Sequence, residues 1–176
     1  KILNENPKRI RQSNFDDLKK ISKINLTQNS QLYKVEKLDE NIFLLNQKKS
    51  YSHARNFSVI LKINNDSVSK YYVINDCKII SKSTDYQYIY LLSGDFGFYN
   101  EFWESSSEIG VLKFDKKLNL LWEYSPQSQK LPIEALSIHN KKEYLSIIVN
   151  VITGCHMCHN TYELKIDNLG NCFSIT

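Results

Sequence analysis

The densest chemistry in the chain lies in one short stretch, Cys155-His156-Met157-Cys158-His159. Two thiols and two imidazoles within five residues offer soft and borderline ligands suited to Zn²⁺. The two-residue gap between Cys155 and Cys158 is the usual spacing of a zinc knuckle. His156 and His159 are too close to both complete a tetrahedron, so a fourth ligand would come from elsewhere, with His53 as the candidate. Cys155-x-x-Cys158-His159 also has the form of covalent c-type haem attachment. That reading is disfavoured, because the motif falls between two expected strands and no helix surrounds it. The alternatives are a redox-active thiol pair and a plain turn that carries its thiols without using them.

A second group of residues suits binding rather than catalysis. Between residues 94 and 108 the chain carries Asp95, Glu101, Glu104 and Glu108 with no basic residue. The same stretch holds five aromatics: Phe96, Phe98, Tyr99, Phe102 and Trp103. Five aromatics left in solvent would be costly. They either fold back as a lid on a sheet edge or meet a partner. Aromatic anchors ringed by charge have the anatomy of a protein interface. The acidic sign selects a basic partner and gives faster association at low salt. A third segment supplies Tyr51, His53 and Arg55.

No catalytic set is apparent. The chain has no Gly-x-Ser-x-Gly elbow, no phosphate-cradling glycine loop and no His-Glu-x-x-His. The expectation is a protein that is not an enzyme.

The elements that would position these groups follow from an internal repeat. Leu61-Lys62-Ile63-Asn64, Leu112-Lys113-Phe114-Asp115 and Leu164-Lys165-Ile166-Asp167 are three copies of one phrase, 51 and 52 residues apart. A period near fifty residues is the signature of a propeller or solenoid. Aromatic and β-branched residues are abundant, including eleven Tyr and eight Phe, which favours strands. From residue 33 onward, short apolar runs alternate with polar turns. They divide into three units, 33–76, 77–126 and 131–176, each with four strands. The expected strands are 33–38, 41–46, 57–63 and 68–74, then 77–82, 87–93, 109–114 and 119–124, then 133–138, 143–150, 161–166 and 171–175. The repeated phrase falls on the third strand of each unit and a tight polar turn follows it.

Asp115-Lys-Lys-Leu118-Asn119-Leu-Leu-Trp122 resembles the repeat phrase of quinoprotein-like and related bacterial β-propellers, which runs Asp, two residues, Gly-Asn, two apolar residues and Trp. Leu118 stands where those repeats often place Gly. The third unit keeps Asp167, Gly170 and Asn171 but not the Trp, and the first keeps little beyond Leu-Lys-Ile. The resemblance implies a fold and nothing about cofactors. The expected fold is therefore all-β: three four-stranded antiparallel meanders in a propeller-like arrangement, with a repeat-derived β-sandwich as the alternative. Closed propellers typically have four to eight blades. Three blades would have to close unusually or be completed by a second chain in a six-blade homodimer. In a propeller the long connections 47–56, 94–108 and 151–160 would emerge at one end, which brings the three groups of residues above into one site.

Residues 1–32 form a separate basic segment. Residues 1–24 carry seven Lys/Arg against three Asp/Glu, so this segment accounts for the whole net charge of +4. A helix is expected over 13–24, capped by Ser13 and Asp16, with Phe15, Leu18 and Ile21 on one face. Lys8, Arg9 and Arg11 make too short a basic run for a nucleic-acid groove. No apolar run approaches the ~20 residues that span a bilayer. Four cysteines in 176 residues do not make a disulfide framework. No signal-peptide pattern is visible, although a chain that begins at Lys1 leaves a removed leader open. A cytoplasmic location is the resulting expectation.

The functional expectation is a non-enzymatic protein-binding module. Its concrete form is an immunity-type inhibitor that caps a basic toxin or nuclease with the acidic aromatic loop. Zinc binding at residues 155–159 and membership of a larger propeller assembly are the alternatives.

Overall fold

The computed structural model describes residues 3–4, 33–47, 57–65, 67–75, 78–94, 109–125, 127–128, 133–152 and 158–176. The helix expected over 13–24 lies outside these residues. Among the described residues every regular element is a strand.

The described residues form fourteen strands: β1 (Leu3–Asn4), β2 (Tyr33–Asp39), β3 (Ile42–Gln47), β4 (Phe57–Asn64), β5 (Ser67–Asn75), β6 (Lys78–Thr84), β7 (Tyr88–Gly94), β8 (Ile109–Asp115), β9 (Leu120–Tyr124), β10 (Gln127–Ser128), β11 (Ile133–Lys141), β12 (Tyr144–Ile152), β13 (His159–Ile166) and β14 (Cys172–Ile175). They form three four-stranded sheets in the orders β2-β3-β4-β5, β6-β7-β8-β9 and β11-β12-β13-β14. A two-residue pairing of β1 with β10 completes the set. Each sheet is a meander whose order in space is its order in the chain, as the repeat implies. The repeated phrase lies at the end of the third strand in every case.

The chain divides into two compact units, Ile10–Lys78 and Lys1–Arg9 with Ile79–Thr176. The first unit contains the first sheet. One of its faces gathers Leu45, Val59 and Leu61, with Val35, Phe43, Ile63, Val68, Tyr71 and Val73 half-buried around them. Ile42, Leu44, Ile60 and Ile74 are also buried.

The second unit contains the second and third sheets, and their packing fixes the site described below. Tyr90, Leu92, Ile109, Val111 and Tyr124 of the second sheet share one core with Ile138, Leu145, Ile147, Val149, Val151, Leu164 and Ile166 of the third. Each such apolar side chain contributes on the order of 1.5–3 kcal/mol when removed from water. The repeat phrase reveals the sense of the packing. Leu164 of the third sheet points into this core, whereas its counterpart Leu112 does not, and the neighbouring Val111 and Lys113 face that way instead. The second sheet therefore packs its front on the back of the third. Two copies of one unit meet front to back, so the contact is of a kind that can be propagated.

Candidate functional site at the two ends of the paired sheets

In the second and third sheets the polar turn after the repeated phrase is built by its aspartate. Asp167 Oδ1 accepts hydrogen bonds from the amides of Leu169 at 2.8 Å and Asn171 at 2.9 Å. Asp167 Oδ2 accepts from Asn171 Nδ2 at 3.1 Å. The Asp115 turn is the same structure, with Lys117 N, Asn119 N and Asn119 Nδ2 donating at 2.8, 2.8 and 2.7 Å. These donors, chiefly those of Asn171, hold the Asp167 carboxyl below its ordinary pKa. The fourth residue of each turn has positive φ, +92° at Gly170 and +58° at Leu118. This is why Gly is the usual residue there. Leu118 accepts the left-handed conformation with its side chain buried.

The Gly170 turn is also the point where the third sheet engages the second. The Asn168 carbonyl accepts from Lys113 Nζ at 3.2 Å and from Trp122 Nε1 at 3.0 Å. Lys113 Nζ lies 4.0 Å from the Tyr88 ring centroid, 5.5 Å from that of Tyr90 and 5.8 Å from that of Trp122. An ammonium held over aromatic faces and bonded to a carbonyl can remain within a core that would otherwise reject it. Lys113 is only 4% exposed. Burial lowers its pKa, opposed by the nearby Asp85 carboxylate. The Tyr90 hydroxyl is pushed up by burial, then by the charge of Asp85 and by Tyr88. Asp85 Oδ2 in turn accepts from Asn140 Nδ2 of the third sheet at 2.6 Å. The lysine and tryptophan are thus the two teeth of a clamp on the neighbouring turn. A Cβ on Gly170 would stand 3.0 Å from Trp122 Cδ2, so glycine is favoured here by contact as well as by φ.

The long connections leave from the opposite end. Ser81 Oγ of β6 accepts from Ile138 N, and Ser83 Oγ from Asn140 N, both at 3.2 Å. β6 and β11 therefore run side by side in the same direction. Their partners β7 and β12 run back together, so their last residues, Gly94 and Ile152, lie toward one end. Gly94 marks this rim: a Cβ there would lie 3.2 Å from Ile80 Cγ1 and 3.5 Å from Ala135 Cβ.

Polar pairs fasten the central strands near this rim. Thr161 Oγ1 donates to Asn150 Oδ1 at 2.8 Å, and Asn150 Nδ2 donates to Glu134 Oε2 at 3.2 Å. In the first unit Ser58 Oγ donates to Asn46 Oδ1 at 2.6 Å, at the equivalent register position. The second sheet has Gly94 opposite Ile109 there. Sequence reading missed this motif, although Asn46 and Asn150 lie about two repeat periods apart and so do Ser58 and Thr161.

Asp95, Phe96, Phe98, Tyr99, Glu101, Phe102, Trp103 and Glu104 lie outside the described residues, as do His53, Arg55, Cys155 and His156. Cys158 and His159 are described and exposed. Cys158 is disulfide-bonded. A disulfide sulfur is no thiolate, so Cys158 can ligate zinc only after reduction. Among the described residues no cluster of three or more His, Cys, Asp or Glu is arranged to hold a metal. The described Cys172 is a free, half-buried thiol against the third-sheet core, as expected of a strand cysteine. No described helix is long and apolar enough to cross a membrane. Comparison with family models, curated proteins and solved structures gives no match to the chain.

Proposed function

We propose that the chain is a non-enzymatic protein-binding module of propeller-like construction. Its working face is the end from which the long connections depart. The observation that supports this reading is the common direction of β7 and β12, with Gly94 against Ala135, since these are the strands that precede the acidic aromatic segment 95–108 and residues 153–157. Loops rooted in a rigid sheet pair can present anchors at small entropic cost. The composition of 95–108 selects a basic protein: Asp95, Glu101 and Glu104 supply charge, and Phe96, Phe98, Tyr99, Phe102 and Trp103 supply anchors. An immunity-type inhibitor of a basic toxin or nuclease, acting in the cytoplasm, is the concrete form of this proposal.

The test uses the immobilised full chain and its Phe102→Ala/Trp103→Ala variant. The wild type should retain a basic protein at low salt, and the variant should lose it while melting at the same temperature. Equal retention by both would remove segment 95–108 from the account.

A further inference from the structure

Strand β1 pairs far from its neighbours in the chain. Leu3 pairs with Ser128 and Asn4 with Gln127, antiparallel, although the whole first sheet separates them in sequence. The compact units divide the same way: Lys1–Arg9 belong with Ile79–Thr176, whereas Ile10–Lys78 form the other unit. β1 is therefore a strap laid on the unit that holds the second and third sheets.

The strap is fastened beside the root of the acidic aromatic segment. Gly94 and Ile109, which bracket residues 95–108 in the chain, pair with each other. Ser125 Oγ donates to the Ile109 carbonyl at 2.8 Å, and Tyr124 pairs with Val111. β10 begins two residues after Ser125. The register gives the strap its direction. As β1 advances from Leu3 to Asn4, its partner runs back from Ser128 to Gln127, toward Ser125. Lys8 follows Asn4 by four residues, at most about 14 Å of extended chain. Glu108 is the residue before Ile109.

We infer that the segment carrying β1 is an internal competitor for the acidic segment: anchored on β10, it brings Lys8 and Arg9 to the carboxylates of residues 95–108, and a basic protein binds by displacing it. This rests on the binding role proposed above for residues 95–108. The charges are complementary. Residues 95–108 carry Asp95, Glu101, Glu104 and Glu108 and no base, and Lys1–Arg9 carry Lys1, Lys8 and Arg9 against Glu5 alone. Tethering strengthens the contact. A short linker gives Lys8 and Arg9 an effective concentration on the order of millimolar. Ion pairs too weak to hold a free peptide are then populated. The anchor itself is a two-residue ladder, and so small a pairing is marginal alone. The strap therefore yields to a partner that brings more charge and engages the aromatic anchors. The partner's apparent affinity falls in proportion to the fraction of chains in which the strap is released.

Zero-length carbodiimide cross-linking of the full chain, dilute enough to suppress links between copies, followed by peptide mapping, tests the inference. The expected result is an amide between Lys8 and one of Asp95, Glu101, Glu104 or Glu108. It should be lost in about 1 M salt, where the Debye length is about 3 Å. Lys34 Nζ and Glu36 Oε1, 2.7 Å apart, provide the internal control. Leu3→Pro/Asn4→Pro removes two strand amides and should lose the Lys8 link while keeping the control. A Lys8 linked only to carboxylates outside 95–108, such as Glu123 or Glu134, overturns the inference. So does a Lys8 that stays unlinked while the control forms, or a Lys8 link that survives Leu3→Pro/Asn4→Pro. Oligolysine serves as the basic probe for competition. Lys8→Gln/Arg9→Gln should bind it at least about threefold more tightly than Lys141→Gln/Lys142→Gln, which removes the same charge from exposed positions between β11 and β12. Equal affinities also overturn the inference. The cross-link is read without a partner, whereas the proposed function is read by retention of a basic protein, so either can fail alone.

Discussion

Replacing Gly170 with Ala tests the clamp at its tightest point. The residue has φ +92°, and its missing Cβ would stand 3.0 Å from Trp122 Cδ2 and 3.2 Å from Trp122 Cγ. A Cβ in the left-handed region costs about 1–2 kcal/mol. Ring displacement also weakens the Trp122 bond to the Asn168 carbonyl, for about 1 kcal/mol more. The stiffer unfolded chain returns about 0.4–1 kcal/mol. The net loss is about 1–2.6 kcal/mol, which in a chain of this size lowers Tm by about 2–10 °C. Calorimetry measures the loss, and Trp fluorescence reports whether the indole has moved. A double-mutant cycle with Trp122→Phe separates contact from backbone strain, because only the contact is coupled. The expected coupling is about 1 kcal/mol. A Gly170→Ala protein within about 0.5 kcal/mol of wild type, or a cycle with no coupling, would refute the close packing of this turn on the indole.

The pH dependence of the clamp follows from Lys113, and Lys113→Met should remove it. Burial holds the folded-state pKa below the ordinary lysine value, so between the two values the unfolded chain binds more protons. Stability attributable to Lys113 therefore rises with pH in that window. Above pH 10 the raised Tyr90 acts in the opposite sense, since the folded state then holds the extra proton. Thermal melts approaching pH 10 should show a positive slope in wild type and a flatter one in Lys113→Met; equal slopes would assign the lowered pKa no energetic consequence. At the other end of the sheets, peptide mapping after alkylation of the denatured protein should label Cys172 without reductant and Cys158 only with it. Labelling of Cys158 in both cases would restore it as a thiolate available to zinc.

The strands were legible because the repeat and the alternation agreed. Tyr144–Ile152 is apolar on both faces in part, yet its bounding turns and β-branched residues identify it as a strand. The Asp-x-x-Gly-Asn turn was legible as a phrase, and Leu118 could be matched to Gly170 before its φ was known. Lys113 was read only as part of a repeated word. Nothing in a local sequence announces that a lysine will be 4% exposed, because the tyrosines that support it come from another strand and its carbonyl partner from another sheet. The Asn150–Thr161 pair was missed for a related reason. Its two members come from adjacent strands, and the repeat at Asn46–Ser58 skips the middle unit. The disulfide at Cys158 was not legible, since four cysteines in a chain of this length do not indicate which of them approach one another.

The most direct test of the functional account sets one end of the paired sheets against the other. Immobilised wild type, Trp103→Ala in segment 95–108 and Leu169→Ala in the Asp167 turn would be compared for protein retained at low and high salt. Leu169 is 79% exposed, so its truncation leaves the fold alone. The account predicts that wild type and Leu169→Ala retain the same basic protein at low salt and release it at high salt, and that Trp103→Ala retains none. Retention that survives Trp103→Ala and is lost with Leu169→Ala would contradict it and move the working face to the turns.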